Sequence, residues 1–250
     1  MTDPAFSSLV LCETGATPHA HLESYSPFCL KAHRALRFAG FTYARRHGHP
    51  GSFRGYNPTG QVPVLLVDSK PIADSTAILE WIDRHAPGAL VPADARDRAE
   101  AWLWEELGDT ALNGFLVAAR WADDRNWPAV RAAYFGAMPA VIRAVVPGRI
   151  RARVVAGLSA RDVTRAGVEA CWQRFTRTLD QLETRAPKDG FWLGNALSVA
   201  DLGLFAQLHS LRTDLTPWQR DRVAERPALS AWLNRVDVET SARSEIARAA

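Results

Sequence analysis

Three short signals in the first third of the chain fall in an order that few folds accommodate. They are Tyr25-Ser26-Pro27-Phe28-Cys29, then Asn57-Pro58-Thr59-Gly60-Gln61-Val62-Pro63-Val64, then Asp74-Ser75-Thr76 opening an apolar-periodic run. Each is common by itself. In this order they place a hydroxyl at one helix start, an X-Pro bond at a strand entry and an acid–hydroxyl pair at a second helix start.

Around the first signal, Ser8 to Cys12 reads as a short buried strand through Leu9, Val10 and Leu11. Phe28 to Gly40 reads as a helix, because Phe28, Ala32, Leu36 and Ala39 recur at helical spacing and Gly40 sits at the expected stop. Ser26 is then the N-cap, with Pro27 at the first helical position, where its missing N–H costs nothing. The plain reading ends there, with a serine that caps a helix. Cys29 adds a sharper one. Ser-x-x-Cys at a strand-to-helix turn is a redox Cys-x-x-Cys site whose first sulfur has become oxygen, and a helix N-terminus favours a thiolate placed against it.

At the second signal, Pro63 precedes the strand Val64-Leu65-Leu66-Val67, and proline cannot donate to a ladder in mid-strand. One reading is an ordinary trans proline starting an edge strand. The other is a cis bond that leaves the Val62 backbone to pair with an extended peptide. At the third, Asp74-Ser75 stands before Ile78, Leu79 and Ile82. Either residue serves as an N-cap. Equally, the free N–H groups and Ser75 suit a carboxylate while Asp74 meets an ammonium. Taken together, the three sites suit a small anionic thiol peptide.

These motifs resemble the N-terminal domain of the cytosolic glutathione transferases in order and spacing, and Gly194-Asn195-Ala196-Leu197-Ser198-Val199-Ala200-Asp201 resembles that family's C-terminal capping motif. The resemblance implies an α/β thioredoxin-like domain (βαβ, then ββα) over residues 1–90. An all-α helical domain follows over 91–250, with an apolar electrophile pocket. It also implies roles. Ser26 hydrogen-bonds the glutathione sulfur, and Val62, before a cis Pro63, pairs with the cysteinyl backbone. Asp74 and Ser75 take the γ-glutamyl end, and Gln61 reaches the glycyl carboxylate. The thiol-transfer branch carries cysteine at the Ser26 position, so this chain points to conjugation, isomerisation, ether cleavage or dehalogenation, with glutathione as co-substrate. Cys29 is read as a buried helix cysteine, with a residual redox role as the alternative. A homodimer is implied as well.

Composition narrows the rest. The 250 residues with 47% apolar content suffice for one large or two modest cores. The net charge of +3 is too small to argue for nucleic acid, and no apolar run approaches membrane-spanning length. No apolar leader opens the chain. Three scattered cysteines, Cys12, Cys29 and Cys171, form no disulfide framework, so the cytoplasm is expected. No metal site is expected: His19-Ala20-His21 and His47-Gly48-His49 lie in loop-like stretches without a second pair of ligands.

Pro87-Gly88 followed by Val91-Pro92-Ala93-Asp94 marks the domain boundary. Beyond it, Asp94–Arg120 reads as one long helix through Trp102, Leu103, Glu106, Leu107, Thr110 and Leu116. Ala166–Arg185 is strongly amphipathic, 198–211 opens on a Ser198/Asp201 capping box, and Pro227–Val238 ends the pattern. Arg143, Arg149, Arg151, Arg153, Arg161 and Arg165 meet a single acid, Asp162, which reads as a solvated face or as a rim for an acidic substrate or partner. Trp121, Trp127, Tyr134 and Phe135 read as core or as electrophile pocket. Two functions stand: an enzyme that activates glutathione, and a glutathione-transferase-like binding or scaffold protein without turnover.

Overall fold

The computed structural model describes residues 6–19, 21–49 and 51–241. The chain's first residues and Ala20, between the two histidines, lie outside them. Two compact units emerge: Met1–Leu107 with Asp189–Ala206 and Leu233–Ala250, and Gly108–Lys188 with Gln207–Trp232.

The first unit is built on a four-stranded sheet of order β2-β1-β3-β4, from β1 (Leu9–Glu13), β2 (Ala44–His47), β3 (Val64–Val67) and β4 (Lys70–Ala73). Strand β1 runs parallel to β2 and antiparallel to β3, which is antiparallel to β4. The central strands read as unbroken apolar runs, as strands covered on both faces do: Leu11, Cys12, Val64 and Leu65 have no exposed surface. The outer strands carry the charge and the proline, Arg45 and Arg46 on β2 and Lys70 and Pro71 on β4, which suits edges. The tight β3–β4 turn takes positive φ at Asp68 (48°) and Ser69 (71°), and Asp68 Oδ1 is held by the Ser7 and Ser8 N–H groups at 2.9 Å.

Helix α1 (Pro27–Phe38) starts where the sequence places it, with Ser26 as N-cap, and α2 (Ser75–His85) starts after its N-cap Asp74. Around α1 the sequence hides its most unusual property. Leu30, Ala32, Ala35 and Leu36 are fully buried, but so are Lys31, His33 and Arg34. A helix buried all round requires a partner for each charge. Arg34 finds Thr240 Oγ1 and the Asp237 carbonyl, both at 3.2 Å, and lies 5.3 Å from the centre of the Phe205 ring.

The expected 94–120 helix divides. Asp94 Oδ1 caps its start by accepting from the Arg96 and Asp97 N–H groups, and α3 spans Ala95–Leu107. A five-residue π turn, Gly108–Leu112, then leads into α4 (Asn113–Trp121). The inward face also differs from the apolar rhythm. Ala101 and Glu105 are buried, whereas Leu103 is 71% exposed. A buried acid has replaced an apolar position, and the π turn changes the helical phase beyond it.

Helix α8 (Val199–Leu211) opens on the capping box. Asp201, fully buried, accepts from Ser198 N–H and Oγ at 2.9 Å and from Trp192 N–H at 2.8 Å, so it serves structure. Gly203 is required, since a Cβ there would stand 2.8 Å from Glu105 Cα. Helix α10 (Pro227–Thr240) follows the last pattern read from the sequence.

In the second unit, α5 (Trp127–Phe135) and α6 (Ala140–Ala160) precede α7 (Val168–Arg185), and α9 (Pro217–Ala224) follows later in the chain. Trp121, Trp127, Tyr134 and Phe135 pack on one another with ring centres 5.7 to 6.4 Å apart. Arg151 is not a free rim charge: it donates to the Trp121 carbonyl at 2.7 Å, pairs with Asp124 at 2.6 Å and covers Trp127 at 4.9 Å. Arg149, Arg153 and Arg161 are exposed. Among the described residues, no helix is long and apolar enough to cross a membrane, and no three His, Cys, Asp or Glu side chains gather as a metal site.

Candidate functional site

The strand register brings the three sequence signals to one end of the sheet. Cys12 pairs with Val64 and Val64 with Ala73, so Glu13, Pro63 and Asp74 each lie one residue beyond the same level. Since β1 and β2 are parallel with α1 between them, α1 runs back along the sheet and its first turn lies at this end.

Each expected residue has a definite setting. Ser26 is half-buried; its N–H donates to Ser24 Oγ at 3.2 Å, and its Oγ accepts from Cys29 N–H at 3.3 Å. One lone pair is thereby taken by a helix N-terminal amide. The Val62–Pro63 bond is cis, with Val62 half-buried and Pro63 buried. Gln61 is exposed on a loop fastened by Asn57, whose Nδ2 donates to the Gln61 carbonyl at 3.0 Å. Asp74 N–H donates to the Pro63 carbonyl at 3.3 Å, which ties the second signal to the third. Asp74 itself takes φ of +86° and accepts from Thr76 N–H at 2.8 Å; Ser75 is 2% exposed. A positive φ on a non-glycine residue stores strain of a kind found at functional sites.

Cys29 is fully buried, and burial pushes its thiol up to about 12; the Glu13 charge adds to this, against hydrogen bonds from Ser26 and Ser24. Such a thiol is inert at neutral pH, which removes the ground for a redox role.

Two groups escaped sequence reasoning. The first is Glu13, fully buried at the end of β1, which holds His33 Nε2 at 3.0 Å and Arg45 Nε at 2.5 Å. Glu13 is an acceptor only, so His33 presents Nε2–H to it, and Nδ1 accepts from Tyr43 O–H at 2.7 Å. The second is Glu105, 2% exposed, which accepts from Lys31 Nζ at 2.5 Å and from Thr76 Oγ1 at 2.8 Å. It therefore joins α1 to the first turn of α2. No spacing rule marks either acid, because each is explained by a partner far along the chain.

The Glu13–His33 pair makes stability fall in acid. Burial first, against the pull of Glu13, lowers the His33 pKa below its ordinary 6.5, so the unfolded chain takes up a proton there that the native state refuses. For Glu13, burial raises the pKa, but hydrogen bonds and charge from His33 and Arg45 outweigh it and hold the carboxyl below 4.5. Both contributions are complete above pH 6.5. That of His33 fades as pH drops below 6.5, and that of Glu13 is lost on falling from 4.5 through its lowered native value. Unfolding free energies measured from pH 8 to pH 4 should decline, below pH 6.5, by about 1.4 kcal/mol per pH unit for each proton taken up. Constant stability between pH 6.5 and pH 5 would contradict the His33 setting.

Residues 27–126 match the model of the glutathione S-transferase N-terminal domain, and residues 165–235 match that of the glutathione S-transferase C-terminal domain. The chain is similar to glutathione transferase GST 23 of Zea mays, 34% identical over 98 residues, covering 36% of this chain and 44% of that one. It is similar to the protein LigF of Sphingobium sp., 35% identical over 77 residues, 30% of each chain. The chain thus spans less than half the length of these curated relatives. The crystal structure of beta-etherase LigF superposes with a TM-score of 0.60 at 21% identity, over 92% of this chain and 95% of that one. A Methylobacillus flagellatus glutathione S-transferase with GSH bound gives 0.56 at 19% identity, over 91% and 94%. At these identities the structural likeness is one of fold.

Proposed function

We propose that this chain, which belongs to the cytosolic glutathione transferase family, binds glutathione at the end of its sheet and activates the thiol for attack on an apolar electrophile. The observation that carries this reading is Ser26: a half-buried hydroxyl at a helix N-terminus, beside the end of the sheet that also holds the cis Val62–Pro63 bond and Asp74-Ser75.

The donor set fits such a tripeptide. Ser26 donates its hydroxyl proton to the sulfur, and its acceptor bond from Cys29 N–H strengthens it as a donor. Val62 offers main-chain groups to the cysteinyl residue. The exposed Asp74 carboxylate meets the γ-glutamyl ammonium, Ser75 and the start of α2 meet its carboxylate, and Gln61 reaches the glycyl end. When bound, glutathione supplies the thiol that replaces the leaving group on the electrophile. The part of Ser26 and the α1 dipole is to lower the thiol's pKa from about 8.5 and so enlarge the reactive fraction near pH 7. Similarity to LigF, a beta-etherase by name, supports ether cleavage as one form of this reaction. Buried free Cys12, Cys29 and Cys171 agree with a reducing cytoplasm, and a homodimer belongs to the same reading.

The test is an ultraviolet titration of the thiolate band after adding glutathione. The expected apparent pKa of bound glutathione lies about one unit or more below 8.5. Binding without a lowered pKa would favour a scaffold over an enzyme.

A further inference from the structure

Ser26 is the last residue of a long connection. Between β1 and α1 the chain runs through residues 14–26, where about two to six residues are usual. A long loop has many conformations open to it. The placing of its final hydroxyl therefore depends on contacts with the elements around it.

Those contacts form a closed ring. The fully buried Glu13 carboxylate at the end of β1 holds His33 of α1 on one oxygen, at 3.0 Å. On the other oxygen it holds Arg45 of β2, at 2.5 Å. Arg45 Nη2 then donates to the Glu23 carbonyl, in the loop, at 2.9 Å. The Glu23 carboxylate pairs with Arg34, at 3.2 Å, and with Arg37, which returns the ring to α1. Ser26 lies on the stretch between Glu23 and these helix residues. Locally its N–H is held by the Oγ of Ser24, a fully buried residue, at 3.2 Å.

Within the ring, Arg45 carries two links from one rigid group. Its Nε meets Glu13 and its Nη2 meets Glu23, both from the same planar guanidinium. It is also the member that can be exchanged without opening the core. Its side chain is 30% exposed and stands on an edge strand.

We infer that Arg45 is a positioning residue for the thiol reaction: it clamps the loop ahead of Ser26 to the buried Glu13 and so fixes where the seryl hydroxyl stands. That role rests on the thiol reading of Ser26, and Arg45 needs no contact with glutathione to fill it.

Two replacements separate position from charge. Arg45→Lys keeps a cation beside Glu13, but a single ammonium does not reproduce the fork that spans both acceptors; Arg45→Gln removes the cation as well. In the full chain, hydrogen exchange is followed on a peptide covering residues 23–30. In Arg45→Lys it should quicken about tenfold or more relative to exchange in β3. In the same variant the apparent pKa of bound glutathione, titrated through its thiolate band, should rise by about half a unit or more. That is roughly a threefold loss of thiolate near pH 7. Glutathione affinity should change little, since Gln61, Val62, Asp74 and Ser75 are untouched. A merely structural role would lower the melting temperature and leave the thiol titration where it was. The inference is overturned if Arg45→Lys keeps parental exchange or if its bound thiol titrates as in the parent. It is equally overturned if Arg45→Gln alone moves the titration, because charge would then suffice. Failure of the thiol reading shows separately, in the parent, whose bound glutathione would itself titrate near the free value of about 8.5.

Discussion

Ser26→Ala lowers kcat and kcat/KM together by about 10²-fold, the loss found when one preorganised donor is removed from a developing anion. The dissociation constant for glutathione changes little, because Val62, Asp74, Ser75 and Gln61 hold the peptide in the proposed arrangement. The pH profile moves too: without the hydroxyl, the ionisation governing kcat/KM rises toward the free thiol value of about 8.5. Alanine also removes the helix cap that accepts from Cys29 N–H, at a cost of about 1 kcal/mol. Instability could therefore imitate lost catalysis. Ser26→Asp separates the two. A carboxylate caps as well as serine does, so the fold keeps its stability, yet its charge opposes a thiolate and turnover falls at least as far as in the alanine variant. Two stable variants with parental turnover would remove Ser26 from the chemistry.

How much of this was legible in the chain depends on the range of the interactions. Ser26, Asp74 and Asp201 were readable because a cap is local: acceptor and amide lie two or three residues apart in sequence. Val64–Val67 was readable because a buried central strand is an apolar run bounded by breakers. Strand β2, Ala-Arg-Arg-His, has no such pattern, since it is an edge whose place comes from pairing with β1. Helix α6 escaped for a related reason. Only Pro147 and Leu158 of its 21 residues are buried, so it has little apolar rhythm to read. Glu105 lies at the far limit. The apolar rhythm of α3 favoured its neighbours Leu103 and Glu106, and nothing near it in sequence says that Lys31, 74 residues earlier, waits for a carboxylate. At the site, the individual residues were visible, whereas the assembly of Pro63 with Asp74 needed the strand register.

That buried pair sets the largest stability effect to be expected in the chain. Lys31 has no exposed surface and Glu105 only 2%, and their 2.5 Å contact is supplemented by the Thr76 hydroxyl at 2.8 Å. Removing Lys31 leaves the buried Glu105 carboxylate without its cation, at a cost of about 3–5 kcal/mol. Lys31→Met or Glu105→Leu alone should therefore lower the melting temperature by roughly 10 °C, at about 2–4 °C per kcal/mol for a chain of this size. The double variant should recover much of the loss. It replaces an ion pair by apolar side chains of similar volume and takes the carboxylate away from the Thr76 hydroxyl. A structural role alone predicts that outcome. Glu105 also fastens the turn that carries Asp74 and Ser75, however, so glutathione should bind more weakly in the double variant even where stability has returned. Thr76→Val tests that connection separately, because it cuts the link to α2 and leaves Lys31–Glu105 intact. Calorimetry on the four proteins, with glutathione titrations beside it, separates the two roles. Additive losses in the double variant would show that the pair is not a coupled unit, and an unchanged glutathione affinity in Thr76→Val would confine Glu105 to stability.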